Sequence, residues 1–142
     1  LRFAHDSENI AAINDASGNI AQMDEIIKNK PEGFDVISGD DGITFPLITL
    51  GAVGVISVLG NAFPREFSRM TQLVLEGDYA NALPIHHKFA EMCNLLFVDG
   101  NPAGVKAMLG IMGMIENKLR LPLVPARQVT CEKLSAAWNE IK

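Results

Sequence analysis

The stretch Ile10–Asn19 (IAAINDASGN) decides the fold when read with its two echoes, Asp35–Asp41 (DVISGDD) and Gly51–Val58 (GAVGVISV). Each is a short, mostly apolar run ending in small or polar turn formers, and the segments between them carry helical periodicity. That is the pattern of consecutive parallel strands joined by helices, a βαβαβ unit. Because strand side chains alternate, the first strand, Asn9–Asp15, is predicted to set Ala12 and Asn14 on one face and Ala11 and Ile13 on the other. Asn14 then points to the side that would be the interior of a barrel.

Outward from this strand, Ser17–Asn19 supplies a turn, and Ser17 or Asn19 can cap a helix over Ile20–Asn29 whose apolar stripe is Ile20, Met23, Ile26 and Ile27. Lys30–Gly33 (KPEG) stops that helix. A second strand is predicted at Phe34–Ser38, a loop at Gly39–Gly42, a helix over Thr44–Leu50 with Gly51 as its C-cap, and a third strand at Gly54–Val58. Pro64 opens a helix that runs to Glu76 and stops at Gly77. After it the pattern is helical, over Tyr79–Val98, Pro102–Met112 and Glu132–Lys142, with Arg120–Pro125 (RLPLVP) as an extended connector and no strand after Val58. The expected fold class is α/β, a partial TIM barrel of parallel strands over residues 1–77 followed by a C-terminal three-helix extension over 78–142.

A complete barrel of this kind takes about 250 residues, and this chain has 142. Leu1-Arg2-Phe3-Ala4 reads as the last turn of a helix, as if continuing something longer. Three parallel strands alone leave two open edges and one uncovered face. Hydrophobic residues at 48% and a mean hydropathy of +0.16 are high for a small monomer. The expected partner is therefore a second copy, giving a homo-oligomer, or a complementary N-terminal half-barrel. A net charge of -5, with 12 Lys and Arg against 17 Asp and Glu, excludes nucleic acid, which needs a basic surface. Phe45–Gly60 is apolar but broken by Pro46, Gly51 and Gly54, so no membrane span is expected, and there is no signal-peptide pattern.

No metal and no cofactor are expected. Cys93 and Cys131 lie far apart without CxxC spacing, which reads as reduced thiols in a cytoplasmic protein. His86 and His87 are adjacent, so on a helix they diverge by about 100° and cannot share a metal; both are expected to be exposed. His5 has no partner in reach by sequence. The glycines of Gly51–Gly54 precede their strand, which rules out a dinucleotide fingerprint.

In order and spacing, the three strand runs resemble the last three strands of the pyruvate-dependent class I aldolases of the dihydrodipicolinate synthase and N-acetylneuraminate lyase family. Asn101–Lys106 (NPAGVK) and Leu119–Leu123 (LRLPL) resemble that family's N-P-x-x-V-K and L-R-L-P sequences, which belong to its three-helix C-terminal domain. The resemblance covers nearly the whole chain. It implies the last three βα units of a (β/α)8 barrel, a lyase acting on a small keto acid such as pyruvate, and a place in lysine biosynthesis via diaminopimelate. It also implies subunit contacts through the helices after the strands, where Ile20, Ala21 and Leu50 lie.

One departure bears on the chemistry. Where the family carries its Schiff-base lysine, in a K-[DE]-[AS]-[ST]-G-[ND] setting, this sequence has Asn14. An imine needs an amine, and a carboxamide has no nucleophilic lone pair of that kind. Lys28, Lys30, Lys88, Lys106, Lys118, Lys133 and Lys142 all fall away from the predicted strand ends and read as solvated surface. The family's proton-relay tyrosine comes from the N-terminal half of its barrel, and the only tyrosine here is Tyr79, at a helix start.

By resemblance the pocket residues are Asn14, Gly39, whose carbonyl would border the keto acid, and Ile56. Asn14 is otherwise expected to be buried and hydrogen-bonded, and Asp40 and Asp41 to cap the helix near Thr44. Two functions follow: a dihydrodipicolinate synthase-like lyase without its lysine, inactive alone, or a non-catalytic half-barrel serving as self-assembling scaffold or keto-acid pocket. A flavodoxin-like phosphate binder is a weaker third, opposed by the charges of Asp40 and Asp41.

Overall fold

The computed structural model describes residues 2–7 and 9–142, apart from the side chain of Phe3. Leu1, part of the expected opening helical turn, lies outside the described residues, and the rest of that turn belongs to helix α1, Arg2–Asp6. Strand β1 (Ala12–Asp15), helix α2 (Ile20–Asn29), strand β2 (Asp35–Ser38), helix α3 (Thr44–Leu50) and strand β3 (Gly54–Val55) follow in turn. Four helices complete the chain: α4 (Pro64–Leu75), α5 (Tyr79–Leu95), α6 (Ala103–Ile111) and α7 (Gln128–Ile141). The sheet has the order β1-β2-β3 and is parallel throughout.

Register fixes the two faces of the sheet. Asn14 pairs with Ile37, and Ile37 with Gly54, so these three share a layer. Ala12 below and Ile56 above lie on the same face. The opposite face carries Ile13, Asp15, Val36, Ser38 and Val55, and it is the one the helices cover: Val36 and Ser38 are fully buried. Of the apolar residues Ile13, Val36, Ile37, Val55 and Ile56, three thus face the helices. Only Ile37 and Ile56 belong to the open face, and Ile56 is 58% exposed.

Local sequence explains the helix ends. Asn19 is the cap of α2, its side chain accepting the Gln22 amide at 3.1 Å, while Ser17 accepts from Asn19. Gly51 closes α3 at φ 120°, a left-handed value that disfavours any side chain. Of the predicted α2 stripe only Met23 is buried, and the helix packs chiefly on α3. Ile20 remains exposed.

Two strands are shorter than their apolar runs. β1 starts at Ala12, where the ladder with β2 begins. β3 ends at Val55 because Ser57 and Val58 turn into a 3-10 turn at Leu59–Asn61. One hydrophobic core joins Leu47, Phe67, Met70, Phe89, Met92, Leu96, Met108 and Leu134: α5 packs on α3 and α4, and α7 packs on α5 and α6. Asn101–Pro102 and Leu121–Pro122 are cis. No helix among the described residues is long and apolar enough to cross a membrane.

Candidate functional site

The C-terminal ends of the three strands gather the residues that the sequence singled out. Asn14, one residue from the end of β1, is exposed, not buried, and its carboxamide makes no hydrogen bond among the described residues. The expected satisfied, buried asparagine is thus corrected: the face it points to has no second layer. Gly39 follows β2 directly, and its amide donates to the Asp15 carbonyl at 2.8 Å. A methyl group on Gly39 would lie 2.8 Å from both the Asn14 Oδ1 and the Ala16 Cβ, so only glycine lets these two strand ends close up. Ile56 donates its amide to the Ser38 carbonyl at 2.8 Å and lies on the same face, across Ile37 from Asn14. Asn14 and Gly39 are therefore in contact, with Ile56 one strand farther along.

The loop after β2 is held from within. Ser38 Oγ donates to the Asp40 carbonyl at 2.9 Å, and Thr44 Oγ1 reaches the same carbonyl at 2.8 Å. Asp40 caps the 3-10 turn Asp41–Ile43, accepting from the Gly42 amide at 2.9 Å. Asp41 does something that the sequence reading missed. It does not cap α3; it is 2% exposed, and its Oδ2 accepts the amides of Val58 at 3.0 Å and Leu59 at 2.7 Å. It thereby ties the end of β2 to the end of β3. Burial pushes its carboxyl above the usual carboxylate value, against the pull of the Leu59 amide, the Ser57 hydroxyl and the Val58 amide. Its Oδ1 is buried without a well-directed bond, and the Ser57 hydroxyl nearby accepts the Gly60 amide at 2.7 Å. A separation of 17 and 18 residues between carboxylate and amides leaves no local signal for this tie.

Beside Gly39 opens a cavity of about 350 Å³ lined by Ala16, Gly39, Asp40, Gly42, Cys93, Asn94 and Phe97. Its far wall comes from α5 and the turn after it, which no motif in the sequence pairs with the strand ends. No lysine or arginine lines it, and Asp40 sits on its rim. Cys93 is buried, and burial, with the Asp41 and Asp40 charges, pushes its thiol up to about 12, far from a nucleophilic thiolate.

No lysine is at the strand ends. Lys30 lies at the other end of the sheet, its Nζ donating to the Phe34 carbonyl at 2.5 Å just before β2. Lys106 donates to the Lys118 carbonyl. Lys30 and Lys106 are half-buried, which corrects their reading as solvated; Lys28, Lys88, Lys118, Lys133 and Lys142 are exposed. Tyr79 opens α5, half-exposed and edge-on to Phe45. His86, expected to be exposed, is half-buried with its ring 5.3 Å from Phe45, and burial and His87 lower its pKa. Among the described residues no group of three His, Cys, Asp or Glu side chains could hold a metal ion.

A parallel βα array whose small and polar residues converge at the C-terminal strand ends is a sector of a (β/α)8 enzyme barrel. The model of the Dihydrodipicolinate synthetase family matches residues 2–141, and the chain belongs to that family. It is 77% identical over 142 residues to 4-hydroxy-tetrahydrodipicolinate synthase of Phocaeicola vulgatus, covering 100% of this chain and 48% of that protein. With the enzyme of that name from Parabacteroides distasonis it shares 71% identity, over 99% of this chain and 48% of the relative. The crystal structure of dihydrodipicolinate synthase from Thermotoga maritima superposes with a TM-score of 0.94 at 38% identity, covering 99% of this chain and 48% of that one. The chain thus spans about half the length of the relatives it matches, and its fold is a partial TIM barrel, the last three βα units with their helical extension.

Proposed function

We propose that this chain is the C-terminal half of a dihydrodipicolinate synthase-type barrel, of the lysine-biosynthetic lyase class, in which Asn14 stands at the Schiff-base lysine position. Residues 1–77 act as the half-barrel segment and 78–142 as its helical extension. Alone, the chain forms no imine with pyruvate and turns nothing over.

One observation carries this reading: the side chain at the end of β1 that touches Gly39 is a carboxamide, while every lysine lies elsewhere. Imine formation needs a free amine beside the bound ketone. The exposure of Asn14 favours a second reading, a keto-acid pocket that binds without covalent capture or a scaffold that assembles through this face. Pyruvate with borohydride, followed by intact mass measurement, separates catalysis from both. The expected result is an unmodified chain, and a stoichiometric adduct on any lysine overturns the proposal. Asn14→Lys is expected to gain the adduct yet stay without multiple turnovers, because nucleophile and proton relay act as a unit.

A further inference from the structure

We propose that Asp41 is a positioning residue for the keto-acid pocket: its carboxylate sets the spacing between two of the pocket's walls, Gly39 after β2 and Ile56 after β3. This rests on the reading of the strand ends as such a pocket, and it names what holds them in register.

The walls need a tie because the ladder between them is short. β2 and β3 pair only at Ile37 with Gly54 and Ser38 with Val55, and the Ile56 amide then donates to the Ser38 carbonyl at 2.8 Å. Beyond that bond the two segments part. Among the described residues, 57–61 make no backbone hydrogen bond to β2 or to the loop after it. The Asp41 carboxylate crosses this gap, its Oδ2 accepting the Val58 and Leu59 amides at 3.0 and 2.7 Å. Ile56 is thus held between two points, its own amide on Ser38 and, two residues on, the Val58 amide on Asp41.

The near end of the tie is rigid. Thr44 Oγ1 lies 3.0 Å from Ser38 Oγ, and the two hydroxyls reach the Asp40 carbonyl at 2.8 and 2.9 Å. Ser38 and Thr44 are fully buried and Asp41 is 2% exposed. Gly39, between Ser38 and Asp40, is fixed from the other side by its amide on the Asp15 carbonyl at 2.8 Å. In so packed a setting the carboxylate passes the position of Gly39 on to Ile56 with little slack. Side-chain length at position 41 therefore sets the spacing. Asparagine keeps both the length and an acceptor, alanine removes the tie, and glutamate adds one C–C bond of about 1.5 Å.

The test places Asp41→Asn, Asp41→Glu and Asp41→Ala in the Asn14→Lys chain and treats each with pyruvate and borohydride. The lysine amine adds to the ketone, water leaves, and hydride reduces the imine carbon to give a stable secondary amine that intact mass counts. Gly104→Ala, which sets a methyl group against the Leu96 backbone far from the strand ends, is the control for lost stability. The pyruvate concentration giving half the maximal adduct should rise roughly tenfold or more in Asp41→Ala and Asp41→Glu, since a displacement of about 1 Å can cost about a hundredfold. The maximal adduct should not change, because the amine is untouched. Asp41→Asn and Gly104→Ala should stay near the parent value. Equal half-saturation across the series overturns the proposal, and so does a rise in Gly104→Ala as large as in Asp41→Glu.

Amide NMR on the chain with Asn14 in place, without pyruvate, reads the tie separately. The Gly39 and Ile56 signals should move in Asp41→Glu and Asp41→Ala and return in Asp41→Asn; unmoved signals overturn the proposal. An Asn14→Lys chain that forms no adduct with Asp41 intact counts against the reading of position 14, and the amide signals then decide the role of Asp41 alone.

Discussion

Replacing Asp41 separates the two things its carboxylate does. In Asp41→Ala the amides of Val58 and Leu59, which it accepts at 3.0 and 2.7 Å, lose their partner in a site of 2% exposure. A buried donor left unsatisfied costs about 1–3 kcal/mol, so two of them cost roughly 2–6 kcal/mol, with the turn at Leu59–Asn61 loosening as they go. Asp41→Asn keeps an acceptor for both amides and removes the charge whose burial raises the carboxyl pKa. Its amide group takes the place of the Oδ1 that has no well-directed bond, where the Ser57 hydroxyl can accept. The asparagine variant should therefore lie within about 1 kcal/mol of the parent at neutral pH.

Acidity gives a second reading of the same site. A carboxyl whose folded pKa is raised above 3.8 binds its proton more tightly when folded. Its contribution is complete below 3.8 and is lost as pH rises through the folded value. The stability of the parent relative to Asp41→Asn should thus increase as pH falls through that window. Urea unfolding followed by circular dichroism, at neutral pH and at several points down to pH about 4, measures both effects. Asparagine as damaging as alanine, with a gap that does not change with pH, would refute the reasoning.

One further substitution and one labelling reaction are open to measurement. Gly104→Ala would place a Cβ within 2.6 Å of the Leu96 carbonyl carbon, backbone that cannot swing aside, and should lower stability by at least about 2 kcal/mol in urea titration. Iodoacetamide at mildly alkaline pH should label half-buried Cys131 well before Cys93, whose thiol is buried and raised to about 12; equal labelling in the folded chain would contradict its burial.

The sheet was legible because Ile10–Asn19, Asp35–Asp41 and Gly51–Val58 each pair an apolar run with a turn, α2 begins at its Asn19 cap and α3 ends at Gly51. Strand ends were read too long, since apolar residues such as Ile56 and Val58 continue past the last ladder bond. Alternation set Asn14 on the barrel-interior face, whereas Gly39 and Ile56 entered the pocket by resemblance. Whether that face was covered could not follow from alternation, and Asn14 was misjudged as buried for that reason. The Asp41 tie and the wall of Cys93, Asn94 and Phe97 depend on residues brought together only by packing of distant segments.

The one-sided cover of the sheet separates two kinds of selection on this chain. Residues on the helix side, such as Val36 and Ser38, are fixed by the requirement to fold, whereas position 14 faces away from every packed layer. A change there is silent to the core. Thermal or denaturant screens of variants at position 14 would therefore rank them nearly alike, while their chemistry with a ketone could differ completely.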